Sequence, residues 1–232
     1  MSKYHDVKHL FFDLDHTLWD FDRNSKLAYG QIFENEGIDL SLDVFIEQYE
    51  PLNLEFWRRF RESEITKEEL RYQRLKSTFD ACNFPVEDEA IHKMADLYLE
   101  YLPQHNHLFP NCIEMLDTLK GKYQLHLITN GFDVVQGHKI NNSGLREYFP
   151  YMLTAESAGI KKPDLRIFER ALSDTGANAA NSIMIGDSYE ADILGARNAG
   201  WRTIWFHTTG QDIPEGEVVA HDLADIYSIL SR

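Results

Sequence analysis

Asp13 and Asp15 stand two residues apart in the stretch His9-Leu10-Phe11-Phe12-Asp13-Leu14-Asp15-His16-Thr17-Leu18. The apolar run ahead of them predicts a buried strand. Along an extended chain, residues i and i+2 point the same way, so the two carboxylates can converge on one reacting centre. Thr17 and a turn at His16 follow at once, which sets the acids where a strand ends and a loop opens. In open α/β sheets that is where ligands bind. Two adjoining buried carboxylates imply a cation or a shared proton, because burying charge is costly without compensation. An Asp-rich turn after an edge strand accounts for the pair equally well when it is taken alone.

Three further stretches join it. Thr129-Asn130-Gly131 ends a second apolar run with a hydroxyl, an amide and a glycine that lets backbone N–H groups approach a ligand, although Asn-Gly is also an ordinary turn. Lys161-Lys162-Pro163-Asp164 is a turn fixed by proline, and its lysines read as well as a solvated pair. Gly186-Asp187-Ser188-Tyr189-Glu190-Ala191-Asp192 sets Asp187 at a strand tip and Asp192 in the first turn of the next helix. There a simple match to the helix dipole also explains an aspartate.

The elements that position these residues fall into two patterns. Residues 24–107 read almost wholly helical, with helices expected at 24–36, 42–62, 66–81 and 86–102. Pro51 is expected to break the second into two, and Thr66-Lys67-Glu68-Glu69 has the form of a capping box. From Phe109 onward helices and strands alternate, with strands expected at 124–129, 151–154, 182–186 and 203–206. Helices are expected at 111–119, 133–141, 164–175 and 223–230, with one more after 186 that stops at Gly200. This alternation calls for a parallel sheet with right-handed crossovers.

The composition narrows the function. A chain of 232 residues, 43% hydrophobic and 26% charged, is long enough for one large domain or for a domain carrying an insert. A formal net charge of −15 argues against binding a nucleic-acid polymer, yet a metal and one lysine can still attract a small phosphorylated molecule. Cys82 and Cys112 have no metal-type spacing, and the N-terminal Met1-Ser2-Lys3-Tyr4-His5-Asp6 lacks the apolar core of a signal peptide. No run approaches membrane-spanning length. The expectation is a soluble cytoplasmic protein with reduced cysteines and no membrane partner, as monomer or homodimer.

Taken together and in this order, the four polar stretches resemble the motifs of the haloacid dehalogenase-like (HAD) superfamily of phosphohydrolases, and the resemblance covers the whole chain. It implies an α/β fold, a Rossmann-like three-layer αβα core with a parallel sheet, and an inserted helical-bundle cap domain. On this reading residues 1–20 and 108–232 form the catalytic core and 21–107 the cap. The resemblance implies that Asp13 is the nucleophile that forms an aspartyl-phosphate. Asp15 would act as general acid and then general base, its backbone carbonyl also reaching a metal. Thr129 and Asn130 would hold phosphoryl oxygens, with Lys162 spreading charge over nucleophile and phosphate and Lys161 facing solvent. Asp187 would bind Mg²⁺, supported by Asp192 directly or through water. Such chemistry needs charge neutralisation, because a carboxylate and a phosphate dianion repel.

Leu52-Asn53-Leu54-Glu55-Phe56-Trp57, Ile65-Thr66-Lys67-Glu68-Glu69-Leu70 and Thr129-Asn130-Gly131-Phe132 are similar to the pyrimidine 5′-nucleotidases of this superfamily. The expected substrate is therefore a nucleoside 5′-monophosphate. The alternatives are phosphatases of sugar phosphates or phosphoglycolate, or a phosphosugar mutase on the same fold. Haloacid dehalogenation is disfavoured by Asp15, and a non-catalytic role by the intact acids and lysine. Phe56, Trp57 and Phe60 are expected to pack between helices, and Trp19, Phe21 and Phe132 are the candidates to line a pocket.

Overall fold

The computed structural model describes residues 3–208 and 212–231; Met1 and Ser2 of the N-terminal stretch read above lie outside the described residues. The chain divides into two compact units, one running to Asp20 and resuming at His107, the other Phe21–Asn106.

The first unit is built on β1 (His9–Phe12), every residue of which is buried. The helical unit intervenes with α1 (Phe21–Glu36), α2 (Leu42–Arg61), α3 (Lys67–Ala81) and α4 (Asp88–Tyr101), followed by one 3-10 turn at Leu102–Gln104. The first unit then resumes with α5 (Cys112–Leu119), β2 (Gln124–Thr129), α6 (Asp133–Asn142), β3 (Tyr151–Thr154), α7 (Ala155–Ala158) and α8 (Leu165–Thr175). After β4 (Ser182–Gly186) comes a π-helix, Tyr189–Leu194, continued by α9 (Gly195–Asn198), β5 (Arg202–Phe206), β6 (Val219–Ala220) and α10 (Leu223–Ser231).

The six strands form one parallel sheet in the order β3-β2-β1-β4-β5-β6, a Rossmann-like fold with flanking helices. Both faces of β1 are covered, which explains an unbroken apolar run where alternation would mark a half-exposed strand. Phe11 joins Ile128, Ile167, Phe168, Met184 and Trp201 in one core cluster, while Phe12 meets Phe149 edge-on at 5.9 Å. Within this unit the chain is clasped where it leaves and returns. Asp20 N–H donates to His107 O at 3.0 Å, Phe109 N–H donates to Leu18 O at 2.9 Å, and Trp19 bridges to Leu108.

In the helical unit, Thr66 and Glu69 close the expected capping box. Pro51 does not divide α2, which runs unbroken past it. The proline is exposed, so the bond it deletes and the ring it adds fall on the solvent side, while Phe45, Ile46, Tyr49, Asn53 and Phe56 hold both halves to the core. Phe56 is buried as expected, and Trp57 and Phe60 are half-buried against each other. Arg74 is buried beside Tyr98 and donates to Asn53 Oδ1 at 3.0 Å. Among the described residues, no helix is long and apolar enough to cross a membrane. Cys82 and Cys112 are both free thiols, and burial pushes Cys112 up to about 12.

One feature of the sheet makes stability depend on pH. His9 and His126, neighbours across β1 and β2, are buried with His9 Nδ1 and His126 Nε2 3.1 Å apart. Burial lowers both, and His126, which also faces His9, falls to about 4. A histidine held below its unfolded value is protonated first in the unfolded chain, so stability is lost as pH falls from about 6.5 towards 4. His126→Gln is expected to remove about 2 kcal/mol of the wild-type stability change between pH 7 and pH 5, read from urea unfolding at both. Parallel curves for the two proteins would contradict it.

Candidate active site

The seven residues singled out in the sequence all lie in the sheet unit. Parallel pairing aligns the carboxyl ends of the central strands: Phe12 stands level with Leu127 and with Ile185, so the chain enters its loops side by side. Asp13, immediately after β1, is anchored by its own N–H donating to Ile185 O at 2.9 Å. Thr129 is the last residue of β2, Asp187 follows β4, Lys162 lies in the turn before α8, and Asp192 is in the π-helix. A π-turn widens the spacing along a helix and recurs at functional sites, and here it carries Asp192 beside the sheet.

Lys162 is the hub. Its ammonium donates to Asp13 Oδ1 at 2.5 Å, Asp192 Oδ1 at 2.6 Å and Ile128 O at 2.7 Å, which satisfies all three protons. Burial works against its charge, but Asp13 and Asp192 outweigh burial and hold it well above the ordinary lysine range. Lys161 is half-buried rather than solvent-facing, because the turn that drives Lys162 inward carries it part of the way; burial lowers its pKa. Asn130 reaches across to the same turn. Its Nδ2 donates to Lys162 O at 2.9 Å and its Oδ1 accepts from Lys162 N–H at 2.8 Å, so its side chain braces one loop against the other.

Asp13, Asp187 and Asp192 each offer a carboxylate oxygen, and these three atoms lie within 4.8 Å of one another. Burial raises Asp13 well above the usual carboxylate range, with Lys162 opposing and the charges of Asp192 and Asp187 adding to the rise. Burial, then Asp192, pushes Asp187 up to about 7. Three carboxylates against one lysine leave negative charge in excess, and an all-oxygen donor set suits a hard divalent cation such as Mg²⁺. Thr17 Oγ1 donates to Asp187 Oδ1 at 3.1 Å and so orients it, and Ser188 N–H donates to the second oxygen of Asp192 at 3.1 Å. The Asp15 carboxylate lies outside this cluster; the family resemblance brings Asp15 to a metal only through its backbone carbonyl.

Gly186 makes this packing possible, because a Cβ there would approach the Asp192 Cβ to 2.7 Å and its carboxyl group closer still. Gly186→Ala is expected to cost about 1–3 kcal/mol in thermal unfolding and to lower turnover at the site by displacing Asp192 from Lys162. An alanine variant with wild-type melting and turnover would show that the site tolerates the shift.

Asp15 is held by two residues that the sequence reading did not pick out. Lys139 Nζ donates to Asp15 Oδ1 at 2.5 Å, and Gln136 Nε2 donates to Asp15 Oδ2 at 3.0 Å. Their signal was present: Gln136 and Lys139 sit with Val135 and Ile140 on the buried face of α6, where apolar residues are the rule. Trp19 is fully buried, and its ring centre lies 4.2 Å from the Lys139 ammonium. Phe132 is buried as well, and Phe21 is buried in the other unit. His16 takes a positive φ of 61°, closing the turn that returns the chain to Trp19.

Comparison with known proteins gives these features a context. The haloacid dehalogenase-like hydrolase family matches residues 10–206. Pyrimidine 5′-nucleotidase PynA of Streptococcus pneumoniae is 34% identical over 231 residues, covering 94% of each chain. A glyceraldehyde 3-phosphate phosphatase of Methanothermobacter thermautotrophicus is 31% identical over 205 residues, 85% of this chain and 84% of its own. The crystal structure of the putative HAD-hydrolase YfnB from Bacillus subtilis, bound to magnesium, superposes with a TM-score of 0.87 at 27% identity, covering 97% of this chain and 99% of that one.

Proposed function

This chain belongs to the haloacid dehalogenase-like hydrolases and is a phosphoric monoester hydrolase; from that premise we propose a Mg²⁺-dependent phosphatase of nucleoside 5′-monophosphates, with a preference for pyrimidines, working through an aspartyl-phosphate. The observation that carries the mechanism is the placement of Asp13 and Lys162: a buried carboxylate with one oxygen held by an ammonium and the other left to attack.

Asp13 must be ionised to react, and burial opposes that. Lys162 supplies part of the compensating charge. A divalent cation held by Asp13 and Asp187, with Asp192 beside them, would supply the rest and neutralise the phosphoryl oxygens. The free Asp13 oxygen attacks phosphorus in line while Asp15 gives its proton to the departing alkoxide, which leaves as the alcohol. Asp15, now a carboxylate, then takes a proton from the water that cleaves the aspartyl-phosphate, releasing phosphate and restoring Asp13. Thr129 holds a phosphoryl oxygen, Lys162 spreads its charge over nucleophile and phosphate, and Asn130 keeps the Lys162 turn in place.

The Phe21–Asn106 unit is read as the cap that chooses the leaving group. The substrate is then a small phosphorylated metabolite met in a reducing cytoplasm, a setting consistent with two unpaired thiols. The pyrimidine preference rests on likeness to PynA, and the sugar-phosphate phosphatase among the relatives names its competitor. Phosphate release is to be measured across nucleoside monophosphates, sugar phosphates and phosphoglycolate, with Mg²⁺ and with chelator. The expected outcome is Mg²⁺-dependent release, fastest from pyrimidine monophosphates. Release from sugar phosphates alone would overturn the nucleotidase assignment, and full activity in chelator would overturn the metal.

A further inference from the structure

Helix α6 takes no part in the reaction as proposed above, yet it presents two buried polar side chains one turn apart to the reacting centre. Gln136 is wholly buried and Lys139 is 2% exposed. Each pins a different oxygen of Asp15, so the carboxylate cannot turn about its Cβ–Cγ bond without losing a bond. The Lys139 ammonium lies over the face of the Trp19 ring, close enough for a cation–π contact that holds it from another side. Gly131 leaves the room that Gln136 occupies: a Cβ there would stand 2.5 Å from the Gln136 Cδ and 2.8 Å from its Cγ.

Gln136 has a second contact. The same Nε2 donates to Thr129 Oγ1 at 2.7 Å, and Gly131 N–H donates to that oxygen at 3.1 Å. A hydroxyl has one proton and two accepting positions. With both accepting positions taken, Thr129 has only its proton to offer an incoming group. It is set as a donor, the sense that a phosphoryl oxygen requires.

We propose that Gln136 and Lys139 are positioning residues, which aim the Asp15 carboxyl at the leaving oxygen and fix Thr129 as a donor to the phosphoryl group. The inference rests on Asp15 acting as acid and base. It assigns α6 to the reaction without placing either side chain on the substrate.

The test compares Lys139→Met, Gln136→Leu and Asp15→Asn with the wild type, all with Mg²⁺ and all checked by thermal melting. Two substrates are used: the alkyl phosphomonoester turned over fastest in the panel above, and p-nitrophenyl phosphate, whose leaving group departs without a proton. Rapid-quench measurement separates the first burst of released alcohol or phenol from steady turnover. Lys139→Met is expected to slow the alkyl-ester burst by about 10–100-fold, with KM changed less than about 3-fold, while the nitrophenol burst stays near wild type. Gln136→Leu should show the same split and also raise KM several-fold, because Thr129 loses its aim.

A wild-type alkyl burst in both variants, or an equal loss with both substrates, overturns the inference. Asp15→Asn tells this apart from failure of the underlying reading. If it shows the leaving-group split and the α6 variants do not, only the inference falls. If Asp15→Asn retains full activity, Asp15 is not the acid and both fall together. Should Lys139→Met not fold, Gln136→Leu, which removes no charge, decides the matter alone.

Discussion

Asp13→Asn is expected to abolish phosphate release, by about 10⁴-fold or more, while the protein melts no lower than the wild type. The amide keeps the shape of the side chain and can still accept from Lys162, but it offers no anionic oxygen to phosphorus. Stability should hold for a separate reason. Burial presses Asp13 towards its neutral form, and Asp192 and Asp187 add to that pressure, so a neutral isostere removes repulsion along with a partner of Lys162. Lys162 keeps Asp192 and the Ile128 carbonyl. Phosphate release and thermal melting of the same preparation check both halves. Residual turnover near wild type would mean that another group attacks phosphorus, or that water does so directly.

Lys162→Met is expected to fail on both counts. Removing one member of a buried ion pair costs about 3–5 kcal/mol, because the remaining charge keeps its desolvation penalty and loses its partner. Here three carboxylates, with oxygens within 4.8 Å of one another, would lose the buried ammonium that pairs with two of them. Activity should fall by about 10³-fold, the scale seen when a charge-stabilising group is removed from a reacting centre. Added Mg²⁺ should recover part of the lost stability, and more in this variant than in the wild type, since a bound cation stabilises the folded state by mass action and here answers a larger excess of negative charge. Chemical unfolding with and without Mg²⁺ measures this. A variant as stable as the wild type without metal would show that the acids are not held ionised by Lys162.

Asp13→Asn and Lys162→Met thus differ in a way that a purely structural cluster would not. One silences chemistry and spares the fold; the other damages both. The contrast follows from sign, since Asp13 is one of three like charges and Lys162 is, among the described residues, the charge paired against them.

Much of this arrangement was legible before the fold was known. The presence of β1 and the bounds of β2, β3 and β4 follow from short, largely apolar runs ending in polar residues, because a strand covered on both faces is mostly apolar and stops where it meets water or a ligand. Asp13, Thr129 and Asp187 could be picked out because each falls at such a stop, and Lys162 because Pro163 marks its turn. What they touch could not be read. Asn130 clamps the Lys162 turn across 32 positions of sequence, and Gln136 and Lys139 meet Asp15 across more than a hundred, contacts that local pattern does not encode. Pro51 misled because its cost depends on which side of the helix it falls, and it falls outward. The π-helix was read as an ordinary helix for a similar reason: its widened turn answers to the seating of Asp192 under Gly186 rather than to any residue preference.

The clasp formed by Leu18–Phe109 and Asp20–His107 has a consequence for how such a chain can change over generations. Because the two ends of the Phe21–Asn106 segment are stitched together inside the sheet unit, the sheet meets the insertion as a closed loop whatever that loop contains. Loop-closure entropy rises only by about 0.6 kcal/mol for each doubling of length. A lineage can therefore lengthen, shorten or replace the inserted segment at small thermodynamic cost, while the acids, the lysine and the threonine stay in register. Inheritance of the acids, lysine and threonine and inheritance of the inserted segment are separable in such a chain, and the seam between them is a few backbone hydrogen bonds wide.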